Sequence, residues 1–235
     1  KMKILPILLF FISTLFATLD TVAQESTEKK PDTTAQKTKY GLRFGLDLSK
    51  PLRSVLEDGY KGVELLADFR IQDRFYLAAE LGNEEKDYLE PNINATTKGS
   101  YFKVGLNYNA YVNWVGMTNE IFTGLRYGFS SFSQELFGYD LYSTNQSFPP
   151  TVVTQNKEYS GLTAHWAEFM LGVKTEVFTN VYLSLNLQLK RKISETQPEN
   201  FDNLYIPGFN RTYDFSQWGV GYGYNITYLL PLFKK

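Results

Sequence analysis

Residues 217–233 read QWGVGYGYNITYLLPLF and keep a strict period of two. Trp218, Val220, Tyr222, Tyr224, Ile226, Tyr228, Leu230 and Leu232 are large and apolar. The residues between them, Gln217, Gly219, Gly221, Gly223, Asn225 and Thr227, are small or polar. Successive side chains of a β-strand point to opposite faces, so this alternation predicts a strand with one apolar face. The run exceeds the usual strand length of about 5–6 residues. Bulky residues opposite glycines fit the two faces of a small closed barrel. A soluble sandwich or lipocalin-type barrel would bury the apolar face. A membrane barrel turns it to lipid, on strands of about 9–11 residues.

The same alternation recurs in seven earlier segments, 39–50, 62–71, 74–82, 100–111, 120–131, 165–177 and 180–192. The clearest is NVYLSLNLQLKRK, in which Val181, Leu183, Leu185, Leu187 and Leu189 oppose Tyr182, Ser184, Asn186, Gln188 and Lys190. The connections alternate in length. Those at 51–61, 83–99, 132–164 and 193–216 are long; those at 72–73, 112–119 and 178–179 are shorter. Outer-membrane barrels have this arrangement, with short periplasmic turns, longer outer loops and an even strand number. The sequence therefore predicts an all-β chain, an eight-stranded antiparallel up-and-down transmembrane β-barrel over 39–235. Large apolar residues face lipid, and glycines and polar residues fill a narrow lumen.

The N-terminal residues agree with export. Lys1 and Lys3 precede an apolar run, Ile4–Leu15, and Thr21-Val22-Ala23 supplies a small-residue cleavage site. This predicts a cleaved signal peptide over 1–23. Residues 24–38, QESTEKKPDTTAQKT, are polar and read as a flexible periplasmic segment. The expected location is the cell outer membrane, with the protein integral, both termini periplasmic and lipid including lipopolysaccharide around it. With no cysteine there is no residue for lipoprotein acylation. A net charge of −1 provides no basic field for nucleic acid. Tyr40, Trp114, Phe178, Tyr228 and Phe233 stand near predicted strand ends, where interface girdles form.

Parity places twelve charged side chains inside the lumen. Arg43, Arg70, Lys103, Arg126, Lys174 and Lys190 are cationic; Asp47, Glu64, Asp68, Glu80, Glu168 and Glu176 are anionic. Buried charges must be paired, and this balance predicts a structural network rather than a conduit. No cofactor is expected, and no His/Cys cluster offers a metal site. The single histidine, His165, falls on the lipid-facing side, with Glu158 and Ser160 just before it. These residues raise the alternative of a lipid-modifying enzyme of the lipid A deacylase kind; a narrow channel is the other alternative. The long connection 132–164 contains Phe137, Tyr139, Tyr142 and Phe148. It is expected to present a partner-binding loop.

The segments KYGLRFGLDLSKP and GVELLADFRIQDRFYLAAELG, with the C-terminal strand, resemble those of a family of uncharacterised Bacteroidota outer-membrane barrels. Some small barrels of that phylum are accessory subunits of barrel-assembly or secretion machines. The resemblance implies the same kind of role here, a non-enzymatic subunit of a larger envelope complex.

Overall fold

The computed structural model describes residues 39–90, 92–111, 119–141, 151–213 and 215–234. The expected signal peptide, the 24–38 segment, Trp114, Tyr142 and Phe148 lie outside the described residues. In chain order the elements are β1 (Lys39–Asp47), α1 (Ser49–Leu56), β2 (Tyr60–Arg70), β3 (Phe75–Glu90) and β4 (Ile93–Asn109). They continue with β5 (Glu120–Leu141), β6 (Thr151–Phe178), β7 (Val181–Glu195), β8 (Tyr205–Ile206), β9 (Asn210–Arg211) and β10 (Trp218–Lys234).

The eight long strands close into an antiparallel ring, β1-β10-β7-β6-β5-β4-β3-β2 and back to β1. β1 and β10 seal it from Lys39 opposite Lys234 to Asp47 opposite Asn225, with one bulge between Tyr40 and Gly41, so the start of β1 and the end of β10 lie together at one end of the barrel. The alternation read from the sequence is what fills the two faces. On β7, Tyr182, Ser184, Asn186, Gln188 and Lys190 are buried while Leu185, Leu187 and Leu189 are exposed. Glycines make room for inward rings. A Cβ at Gly82 would strike the Tyr101 ring, and one at Gly128 the Trp166 indole.

The polarity of this pattern reverses partway along the long strands. On β5, Ile121, Leu125, Tyr127 and Phe129 point outward and Arg126 inward. Farther along, Ser131, Ser133 and Glu135 point outward, and Phe132 and Leu136 are buried within. β3 behaves alike: Phe75, Leu77 and Leu81 are exposed, and Asn83, Glu85 and Asp87 follow on the same face. Beyond the reversal, Tyr101, Phe132, Leu162, Ala164, Trp166, Ile206 and Phe209 pack into one apolar cluster.

The structure corrects the expected long connections. Residues 83–99 form the outer half of the β3–β4 hairpin, paired as far as Glu90 opposite Ile93. Most of 132–164 is strand, with β5 and β6 paired to Leu141 opposite Thr151. Phe137 and Tyr139 are therefore half-buried strand residues, not loop tips. The cause is the reversal: with polar residues outside, these stretches lose the apolar face that marks a lipid-facing strand. The expected strand 39–50 ends at Asp47, and α1 takes Ser49 and Lys50 from it together with the start of the 51–61 connection; its first residue donates its N–H to Asp47 Oδ1 at 2.8 Å, and the chain exits through Gly59 at a φ of 71°. The 193–216 connection folds into the barrel mouth, with β8 and β9 paired through Tyr205–Arg211 and Ile206–Asn210.

Candidate functional site

Three tiers of charge run along the lumen. In the first, nearest the start of β1, Arg43 Nε reaches Asp68 Oδ1 at 2.5 Å, and Lys174 Nζ reaches Asp68 Oδ2 at 2.6 Å. Arg43 also pairs with Glu120 and lies under the Tyr76 ring, 4.5 Å from its centroid. In the second, Lys103 bridges Glu64 at 3.0 Å and Glu80 at 2.5 Å, and Arg126 reaches Glu80 at 3.1 Å and Asn107 Oδ1 at 2.8 Å. Lys190 joins from β7, 3.9 Å from Glu168 and donating to the Gly208 carbonyl at 2.7 Å.

Three of the twelve residues named from parity have other roles. Asp47 works at the strand end, accepting from the Ser49 and Tyr224 N–H groups. Arg70 sits at the β2–β3 turn, donating to the Gln72 and Asp73 carbonyls beside the Tyr40 ring. Glu176 sits at the β6–β7 turn, where its carboxylate accepts from the Asn180 N–H at 2.8 Å.

The third tier lies at the mouth, above the reversal, and its centre was missed in the sequence. Glu84 is fully buried on β3. Lys50 Nζ from α1 reaches its carboxylate at 2.5 Å. Tyr205 Oη donates to it at 2.7 Å, Tyr60 Oη at 3.1 Å and the Gly208 N–H at 2.9 Å. Burial by itself would push the Glu84 carboxyl up, but Lys50 and these donors hold it at about 2. One carboxylate thus ties α1 and the β8–β9 hairpin to the wall. Trp166 packs edge-on to Phe209 at 6.0 Å, completing the plug. Parity along β3 would have found Glu84 had the strand been extended past Gly82. Glu120 shares the inward parity of Arg126 on β5 and could have been found in the same way; Lys50 and Tyr205 carried no such signal, because they reach Glu84 from α1 and β8 across 34 and 121 residues of sequence.

Outside the wall, His165 is half-buried on β6. Its Nδ1 lies 2.5 Å from Tyr127 Oη, and the Phe129 ring stands 4.9 Å away. Among the described residues its hydrogen bond is to that tyrosine, and neither Ser160 nor Glu158 is joined to it. This arrangement anchors a ring at the wall; it does not assemble a nucleophile, a base and an orienting acid.

A family model described as a domain of unknown function, DUF6048, matches residues 7–235. No curated protein matches the chain.

Proposed function

The chain belongs to the DUF6048 family, and we propose that this member is an integral outer-membrane β-barrel that serves, without enzymatic activity, as an accessory subunit of an envelope protein complex. The observation that carries the reading is the reversal of polarity along β3 and β5. A soluble barrel has one outside, wet along its whole height. Here the outside of both strands is apolar over one part of the wall and polar beyond it, and on β5 the inside gains the buried Phe132 and Leu136 over the polar stretch. Two solvents in contact with one wall account for both changes. The apolar stretch of β5, Ile121–Phe129, spans nine residues, which suits a tilted strand crossing a bilayer in about 9–11. A closed ring also leaves no lipid-exposed sheet edge over that height.

In this reading a signal peptide over 1–23 directs export, both chain ends are periplasmic, and the plugged mouth faces outward. The β3–β4 and β5–β6 hairpins stand above the membrane and, with Phe137 and Tyr139 among their strands, offer the surface for a partner. The filled tiers of the lumen argue against a conduit, and the surroundings of His165 argue against lipid chemistry.

The test is recovery of the tagged protein from outer membranes in mild detergent, followed by mass spectrometry. A stoichiometric large membrane protein, lost when the β5–β6 tip is replaced by a short turn, is the expected result. Recovery of the chain as a monomer from native membranes would sink the subunit reading. Absence from the outer-membrane fraction would sink the membrane reading as well.

A further inference from the structure

β1 ends at Asp47, opposite Asn225, whereas β10 runs on to Trp218 and β2 begins at Tyr60. The wall therefore has a seam at its outer end, and α1 lies in it. The helix side of the seam is closed on β2: Ser54 Oγ accepts from the Gly62 N–H at 3.0 Å, and the Glu57 carbonyl from the Tyr60 N–H at 3.3 Å. Toward β10 a cleft of about 440 Å³ remains between α1, β9 and the strand.

Two kinds of surface line this cleft. Its floor is apolar and continuous with the outer wall, since Leu187, Val220 and Tyr222 are among the most exposed residues of their strands. Its upper side is cationic, with Lys50, Arg53 and Arg211. Lys50 is paired with Glu84, and Arg53 with Glu57. The Arg211 guanidinium stacks on Tyr213 at 5.6 Å and has no carboxylate partner among the described residues. The strand edge contributes donors too. The Leu48 N–H donates to the Tyr224 carbonyl at 2.7 Å, so alternate residues, Tyr222 and Val220, also turn their N–H and C=O toward the seam. Asn210 Nδ2 donates to the Val220 carbonyl at 3.4 Å. The Tyr222 N–H has no partner among the described residues, a costly state against an apolar solvent. Trp218, Tyr213 and Phe215 are exposed at and just before the start of β10, as aromatic residues are at a membrane interface.

We propose that the cleft binds one net-anionic phospholipid, its headgroup against Arg211, Arg53 and the Tyr222 N–H and its acyl chain along Val220, Tyr222 and Leu187. The inference rests on the membrane reading given above. A phosphate suits the place because its several oxygens accept from donors on different sides at once, and a guanidinium binds it as a fork. The apolar floor requires that the anion carry a chain.

The full chain is placed in nanodiscs of phosphatidylcholine with a minority of phosphatidylglycerol, and lipids retained after release are counted by native mass spectrometry. Wild type should keep one phosphatidylglycerol, and Arg211→Gln should lower that retention by about tenfold or more, as loss of a charged hydrogen-bond donor does. Lys157→Gln, on β6 away from the cleft, should leave it unchanged. Heat-modifiable gel mobility reports whether each variant is a folded, inserted barrel. Equal retention by wild type and Arg211→Gln overturns the proposal, as does retention of phosphatidylcholine in equal measure or displacement by inorganic phosphate alone. A folded, inserted wild type that holds no lipid removes the cleft and leaves the membrane reading standing. A chain that does not insert removes both.

Discussion

Replacing Glu84 with alanine should release the plug while leaving the barrel closed. The carboxylate is fully buried and holds Lys50, Tyr205, Tyr60 and the Gly208 N–H together. Without it, a buried ammonium and a buried backbone donor lose their partner in the same step. Breaking a buried ion pair from one side costs about 3–5 kcal/mol. The other polar contacts of the segment are neutral or long, among them Gln134 Oε1 accepting from the Leu204 N–H at 3.0 Å, Tyr88 Oη donating to the Leu204 carbonyl at 3.2 Å and Asn210 Nδ2 to the Val220 carbonyl at 3.4 Å, with Lys190 on the Gly208 carbonyl the charged exception. The loss should therefore fall on local opening of the hairpin. At about 1.4 kcal/mol per tenfold, amide exchange across residues 204–211 should quicken by about 140-fold to 4,000-fold. Amides of β5 and β10 should change little, because their ladders are untouched. The assay is hydrogen exchange by mass spectrometry on the barrel in detergent micelles, with Trp166 fluorescence as a second reporter of Phe209 leaving its side. Protection at 204–211 unchanged within about threefold, in a variant that folds, would refute the reasoning. The same site predicts a pH effect. The Glu84 carboxyl is held at about 2, below the ordinary carboxylate value. Its stabilisation is complete above the ordinary value and is lost as pH falls toward 2. Protection of 204–211 should decay in that window in wild type, beyond the change seen in Glu84→Ala.

Four other outcomes follow from the same geometry. Leu125→Arg, on the apolar outer wall, should lower barrel stability in vesicles by about 2–4 kcal/mol, while Ser133→Arg beyond the reversal should change it by less than about 1, both read from urea titrations. Asp68→Asn removes the shared carboxylate of Arg43 and Lys174, leaving Arg43 only Glu120, and should cost about 3–5 kcal/mol by the same titration. Single-channel recording in planar bilayers should find no steady conductance in wild type or in Glu84→Ala, because the two lower tiers stay in place when the plug opens. His165→Ala should leave lipid A and phospholipid composition unchanged by mass spectrometry, with loss only of the Tyr127 contact.

The sequence alone determined the ring of eight strands and the parity of the part whose outer face is apolar. Period two is a local property, and each strand carries its own record of which side chains point out. That record sufficed to place Arg43, Asp68, Glu80, Lys103 and Arg126 on the inward face, because strand geometry fixes direction whatever the neighbours are. Tertiary structure alone decided the mouth. Beyond the reversal the outward face is polar, so residues 83–90 and 132–141 no longer look like strands of this barrel, and Glu84 went unseen with them. α1 forms where β1 stops short, and its seat in the seam depends on the lengths of the neighbouring strands. The plug depends on contacts such as Glu84 with Tyr205 across 121 residues. Such contacts exist only once the ring has closed and brought one wall within reach of the other.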